Sequence, residues 1–332
     1  MRIIIDAFGG DLAPLAPLQG AAMAAKEGYD IALVGREQEL RDLAKAENIS
    51  LENITIWDAP DVISMEDEPR SILKAHKDCS MAEGLRRLVT GEGDAFISAG
   101  STGALLMGAT FIVKRIKGVS RPALGTLLPT DKQPILLMDC GANADCRPEM
   151  LQQFAQMGYL YMTHVVGREN AKIALLNIGT EPTKGGELQK GAFALLSNSD
   201  LPFVGNMEAR DVTTGDADIV VADGFNGNVL LKSIEGTAGM LMKNIKGIFK
   251  TNLITKIAAL LVMKQVKGLK AKMDASEYGG APIIGVTAPV IKVHGNAAAK
   301  SFYSAVRQAT RMVDTHMVDA IRDAVTAVST EE

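Results

Sequence analysis

Six short runs in this chain are apolar at every position: residues 3–5, 31–34, 95–97, 135–138, 173–176 and 219–221. A strand with one face in water alternates apolar and polar side chains, whereas a strand covered on both faces does not. These runs therefore read as strands buried inside a sheet that has helices on both sides. Between them lie patterns of helical period over residues 14–26, 37–47, 81–90 and 150–164, and a C-terminal stretch, 297–328, that reads as one long helix or two. Alternation of strand and helix predicts a mostly parallel sheet in a three-layer α/β/α sandwich. With 332 residues, 47% of them hydrophobic, and no internal repeat or low-complexity linker, the chain reads as a single α/β unit over 1–332.

The ends of the runs carry the functional signal. Asp6 is followed by Ala-Phe-Gly-Gly-Asp, Ser98 by Ala-Gly-Ser-Thr-Gly, Asp139 by Cys-Gly-Ala-Asn, Asn177 by Ile-Gly-Thr-Glu, and Asp223 by Gly-Phe-Asn-Gly-Asn. Any one of these loops is adequately explained as a turn. Five together predict a shared site, because open parallel sheets bind ligands outside the carboxyl ends of their strands.

Composition removes several classes. A net charge of −4 and 5% aromatic residues argue against a nucleic-acid surface. Cys79, Cys140 and Cys146 form no CxxC pair, which suits reduced thiols in a cytosolic protein rather than a disulfide framework or zinc site. The N-terminal apolar run is too short for a signal peptide and no stretch is long enough to span a bilayer. The dinucleotide fingerprint, the P-loop, the GxSxG elbow and HExxH are all absent.

What remains suits an anion. A glycine turn leading into a helix offers free backbone N–H groups. Gly9, Gly10 and Asp11 precede one predicted helix; Ser101, Thr102 and Gly103 precede another and add hydroxyl donors. Lys184, beside Gly185 and Gly186, offers a mobile ammonium, and His294 stands in Lys-Val-His-Gly-Asn. Taken singly, a solvated lysine and a structural histidine account for these two equally well. His76, His164 and His316 fall in helical patterns and receive no role. Residues 236–273 differ in character, with lysines at 243, 246, 250, 256, 264, 267, 270 and 272 and no acid. Leu253, Ile257, Leu260 and Leu261 recur there at helical spacing, which predicts a basic amphipathic helical excursion suited to an anionic membrane surface.

The strings IDAFGGD (5–11), SAGSTGALL (98–106), DCGAN (139–143), LLNIGTEPTKG (175–185), ADGFNGNVLLKSIEG (222–236), GGAPIIGV (279–286) and VHGNA (293–297) occur in one order along the chain. Together they resemble the phosphate acyltransferases of phospholipid synthesis, from residue 3 to about 315. Ser101 departs from the resemblance, since the family usually carries Asn there. The resemblance implies transfer of a fatty acyl group from acyl-acyl-carrier-protein to inorganic phosphate, without a cofactor or metal. It also implies a Rossmann-like fold related to phosphotransacetylases and isopropylmalate dehydrogenase, and a homodimer at the cytoplasmic membrane face. Such chemistry needs positioning and oxyanion stabilisation more than acid-base help, because phosphate is already an anion and a thiol leaves well.

On this reading Ser101, Thr102 and Gly103 hold phosphate, with Lys184 as counter-charge. Asn143, Asn177, Asn226 and Asn228 are candidate donors, and His294 protonates the leaving sulfur. Asp139 and Asp223, like Asp6, orient these groups. Three other readings stay open at this point: a phosphate acetyl- or butyryltransferase using coenzyme A thioesters, a non-catalytic carrier- or lipid-binding module, and a metal-dependent dehydrogenase on the related fold.

Overall fold

The computed structural model describes residues 1–272 and 279–329. The first part of the chain forms β1 (Arg2–Asp6), α1 (Leu15–Lys26), β2 (Asp30–Gly35), α2 (Glu37–Ala46), β3 (Ile54–Asp58), α3 (Ser80–Val89), β4 (Ala95–Ser98) and α4 (Thr102–Gly108). Then come β5 (Ala123–Leu128), β6 (Ile135–Met138), α5 (Pro148–His164), β7 (Ile173–Asn177), α6 (Glu187–Ser197), β8 (Phe203–Glu208) and β9 (Ile219–Val221). The last elements are α7 (Gly224–Lys250), α8 (Leu253–Lys272), β10 (Ala281–Ile284), β11 (Val290–Lys292), α9 (Ala299–Asp314) and α10 (Met317–Ser329). The C-terminal helical stretch is thus two helices. The lysine-rich stretch begins inside α7 and continues through α8, with residue 273 outside the described residues.

One eleven-stranded sheet runs through the molecule in the order β3-β2-β1-β4-β11-β10-β5-β6-β9-β7-β8. Its central strands are apolar at every position because both faces are covered. One face packs Ile3, Ile5 and Met138 among residues of α1, α5 and α9, and the other packs Ile4, Phe96 and Leu137 among residues of α3, α4 and α7.

The sheet departs in one respect from the single carboxyl edge that the sequence predicts. β3, β2, β1, β4 and β11 are mutually parallel, and so are β6, β9, β7 and β8. Between the two groups, β11–β10, β10–β5 and β5–β6 all pair antiparallel. Three reversals leave the two groups running in opposite senses, so the five polar loops fall into two sets. Strand twist softens this opposition. At roughly 20–25° per step, the four steps from β4 to β6 turn the two groups nearly at right angles.

Candidate active site

The first set of loops follows β1, β4 and β11. Asp6 is buried at the end of β1, where its carboxylate accepts hydrogen bonds from Ser80 Oγ (2.6 Å), Ser98 Oγ (2.7 Å) and the Phe8 amide (3.1 Å). Ser98 Oγ in turn accepts from the Gly100 amide at 3.0 Å. Burial pushes the Asp6 carboxyl up, against the hydrogen bonds from Ser80, Ser98, Phe8 and Gly9. Gly9 has no room for a side chain, since a Cβ there would lie 2.6 Å from both Asp6 Oδ2 and the Gly100 nitrogen. The Asp11 amide donates to Gly295 O at 2.7 Å and joins the third loop to the first. Ser101 Oγ accepts from the Ala104 amide (3.4 Å), which caps α4, while Pro69 packs over Gly103. Thr102 is half-buried beside them; Asp11 and His294 are exposed on the rim.

A residue that pattern reading passed over lies beneath these loops. Lys292, the last residue of β11, is 7% exposed. Its Nζ donates to Ala99 O at 3.1 Å and to Val293 O. Burial pulls its ammonium down to about 8; Asp6 and Asp11 oppose the shift, and the repulsion of Lys232 adds to it.

The second set follows β6, β7 and β9. Asp139 is fully buried and accepts five hydrogen bonds. They come from the amides of Leu124 (3.1 Å), Gly141 (3.1 Å), Ala142 (3.0 Å) and Asn143 (2.7 Å), and from Asn143 Nδ2 (2.9 Å). Burial pushes its carboxyl up as well, against these bonds. Asn143 Nδ2 also donates to Pro122 O (2.8 Å), which commits both of its N–H groups to the loop. Asn228 Nδ2 donates to Cys140 O (3.1 Å), Asn226 Nδ2 to Asp223 (2.6 Å) and Asn177 Nδ2 to Lys184 O (3.1 Å). Asp223 caps α7 by accepting from the Asn226 amide (2.9 Å). Asn143, Asn177 and Asn228 thus spend amide hydrogens on backbone carbonyls and Asn226 spends one on the Asp223 carboxylate, and Asn143 has none left. Gly227 lies too close to the Asp139 backbone to carry a Cβ, which is how the first turn of α7 settles on this loop.

Lys184 is exposed, with Glu181 3.9 Å away. Its loop borders a cavity of about 420 Å³ lined in part by Asp145, Gly186, Glu187, Asp223 and Phe225. Three carboxylates there disfavour an anion at the cavity wall.

Lys232 lies on the third turn of α7. Its charge acts on Lys292 in the first set and on Cys140 in the second. It is exposed and pairs with Glu235 at 2.7 Å. The thiols are poor nucleophiles near neutral pH, since burial pushes Cys140 up to about 12 and Cys79 and Cys146 up to about 11. Among the described residues, no group of three or more His, Cys, Asp or Glu stands together as metal ligands.

Known proteins match this geometry and sequence. The family described as "Fatty acid synthesis protein" matches over residues 1–320. The "Phosphate acyltransferase" of Acetivibrio thermocellus is 44% identical over 334 residues, covering 100% of this chain and 98% of that protein. That of Geobacillus thermodenitrificans is 47% identical, covering 97% and 98%. Among solved structures, a phosphotransacetylase from Streptococcus pyogenes superposes with a TM-score of 0.63 at 19% identity, covering 95% of this chain and 94% of that one. A branched-chain phosphotransacylase from Enterococcus faecalis gives 0.58 at 17% identity, covering 94% and 99%. These two likenesses establish the fold. Identity of 44–47% across essentially the whole chain establishes more: the protein belongs to the phosphate acyltransferase family and is an acyltransferase.

Proposed function

We propose that the enzyme transfers a fatty acyl group from acyl carrier protein to inorganic phosphate, giving an acyl phosphate for phospholipid synthesis. The observation that carries this reading is the full-length similarity to proteins named phosphate acyltransferase. In the reaction a phosphate oxygen attacks the thioester carbonyl carbon. A C–O bond forms, the C–S bond breaks, and the departing thiolate takes a proton. A thiol of pKa about 8.5 leaves without strong acid assistance, so the protein's task is to hold two reactants and stabilise an oxyanion. The glycine loops that Asp6 and Asp139 organise suit that task. Thr102 and Gly103 are half-buried in the first set, and Lys184 and His294 are exposed, which leaves them accessible to serve as counter-charge and as proton donor to the leaving sulfur.

The α7–α8 hairpin supports a second part of the proposal. Leu253, Leu260 and Leu261 are each about three-quarters exposed, and Ile257 is 55% exposed, with Lys256 and Lys264 exposed on the same helix. No helix among the described residues is long and apolar enough to cross a membrane. An exposed apolar face flanked by lysines favours reversible binding to an anionic cytoplasmic leaflet. A homodimer would set two such faces side by side and raise avidity.

Purified protein assayed with phosphate and matched acyl chains on acyl carrier protein or coenzyme A tests the donor. The expected result is hydroxylamine-trappable acyl phosphate with a clear kcat/KM preference for the carrier protein. A preference for coenzyme A would move the assignment to a coenzyme A-dependent acyltransferase.

A further inference from the structure

The peptide between Ala99 and Gly100 is held from both sides. Its N–H, on Gly100, donates to Ser98 Oγ at 3.0 Å, and Ser98 Oγ donates in turn to Asp6 at 2.7 Å. Its carbonyl, on Ala99, accepts from Lys292 Nζ at 3.1 Å. Lys292 is the last residue of β11, lies in register with Ser98 of β4, and also donates to Val293 O. The Val293 amide donates back to Ser98 O at 2.9 Å. The loop after β1 closes the junction. A Cβ on Gly10 would lie 2.9 Å from Ala99 Cβ and 2.8 Å from Gly295 O, so all three loops of the first set meet at Ala99.

A lysine is a costly residue for this place. Its side chain is buried, and the two partners of its ammonium are neutral carbonyls rather than an anion. A charged donor holds a carbonyl more firmly than a neutral one does, and the long stem lets a residue of β11 reach the neighbouring loop. What needs such firm holding is a peptide that can turn. Gly100 has no Cβ to resist rotation of the Ala99–Gly100 peptide. Rotation would swing the Ala99 oxygen away from β11 and take the Gly100 N–H away from Ser98. The loop that continues into Ser101, Thr102 and Gly103 would then present a carbonyl oxygen, and partial negative charge, to an anion.

We propose that Lys292 is a positioning residue for phosphate: it keeps the Ala99 carbonyl turned in toward β11, so that the loop after β4 offers an anion N–H and O–H groups only. Lys292 acts through this peptide and does not itself touch the substrate. Ser98, anchored on buried Asp6, holds the other side of the same peptide. The inference rests on the reading that this loop holds the attacking phosphate, and it adds the residue that sets the loop's polarity.

The test uses Lys292→Met, which keeps a stem and removes the donor, Lys292→Arg, which keeps a charged donor, and Ser98→Ala, which frees the N–H side of the peptide. KM for phosphate and for the acyl thioester are measured separately, and amide hydrogen exchange is followed at Gly100. Lys292→Met is expected to raise the phosphate KM about tenfold, the size of one charge-assisted hydrogen bond. It should leave the thioester KM within about twofold and speed exchange at Gly100. Lys292→Arg should recover part of the phosphate KM. Ser98→Ala should raise the phosphate KM as well. The double variant of Lys292→Met and Ser98→Ala should lose little more than the weaker single variant, because either change frees the same peptide.

An unchanged phosphate KM in Lys292→Met, or equal losses in both KM values, overturns the proposal. A raised phosphate KM with wild-type exchange at Gly100 would mean that Lys292 meets phosphate directly, which also refutes the positioning role. If Lys292→Met fails to fold, Ser98→Ala decides, and a wild-type phosphate KM there overturns the proposal. Each of these results leaves acyl transfer to phosphate intact. A wild-type enzyme that forms no phosphate-dependent product overturns that reading and this inference together.

Discussion

Replacing Asp139 by Asn separates the two forces that act on this buried carboxylate. The amide is nearly isosteric and removes the charge, but it retains one acceptor oxygen where the native side chain has two. Oδ1 accepts from Leu124, Gly141 and Ala142, and Oδ2 accepts from the Asn143 amide and from Asn143 Nδ2. With the oxygen kept at the three-donor position, the new NH2 faces two donors. Asn143 Nδ2 still has Pro122 O; the Asn143 backbone amide has nothing. An orphaned buried donor costs about 1–3 kcal/mol, and the donor–donor contact adds to it. The expected loss is about 2–4 kcal/mol of unfolding free energy. Relief of the buried charge, which pushes the carboxyl up in the native protein, offsets part of it. Urea unfolding of wild type and variant, compared at the midpoint with equal slopes, reads the difference. Because the Gly224 amide donates to Asn143 O, the start of α7 should loosen as well, visible as faster amide exchange there. A variant within about 1 kcal/mol of wild type, or more stable than it, would refute the claim that the Asn143 amide depends on the second carboxylate oxygen.

Three further outcomes follow from the structure. Leu260→Glu, on an exposed face of α8, should cut binding to anionic vesicles at least tenfold in a co-flotation assay while leaving solution activity and melting temperature near wild type, since burying a leucine in the interface contributes about 1.5–3 kcal/mol; unchanged flotation would remove the membrane role. Lys184→Ala should change stability by less than about 0.5 kcal/mol, its one ion pair being exposed, yet raise the phosphate KM; wild-type kinetics would return Lys184 to an ordinary surface lysine. Lys292, charged below about 8 when folded and below 10.5 when unfolded, penalises the native state at neutral pH, and that penalty is relieved as pH rises between the two values. The gap in unfolding free energy between wild type and Lys292→Met should shift toward wild type by about 2–3 kcal/mol across this window, and a pH-independent gap would show that the ammonium is well solvated.

The sequence revealed the parts of the fold where burial leaves a simple mark. Strands such as β1 and β6, covered on both faces, are apolar at every position and stand out. β3 (ITIWD) and β8 (FVGNME) lie at the two edges of the sheet, are only partly buried, and carry mixed residues rather than an all-apolar run. β10 (APII) and β11 (VIK) carry a proline and a lysine, which interrupt the all-apolar run that marks the other short strands. Pairing direction leaves no local mark at all. The reversals at β10 and β5 were therefore invisible, and with them the division of five loops into two sets. The site showed the same limit. Glycines and aspartates at strand ends were readable as loop chemistry. That Asn143 spends both amide hydrogens on its own loop depends on tertiary geometry, and Lys292 ends a three-residue strand where a lysine ordinarily reads as solvated.

Acyl transfer to phosphate is tested most directly by following oxygen. Phosphate carrying heavy oxygen at all four positions, incubated with the enzyme and an acyl-carrier-protein thioester, should yield acyl phosphate that retains all four labels by mass spectrometry, because a phosphate oxygen becomes the bridge to the acyl carbon. Product carrying three labels, or free fatty acid released at a rate indifferent to phosphate, would mean that water or another oxygen attacks the thioester and would contradict the account.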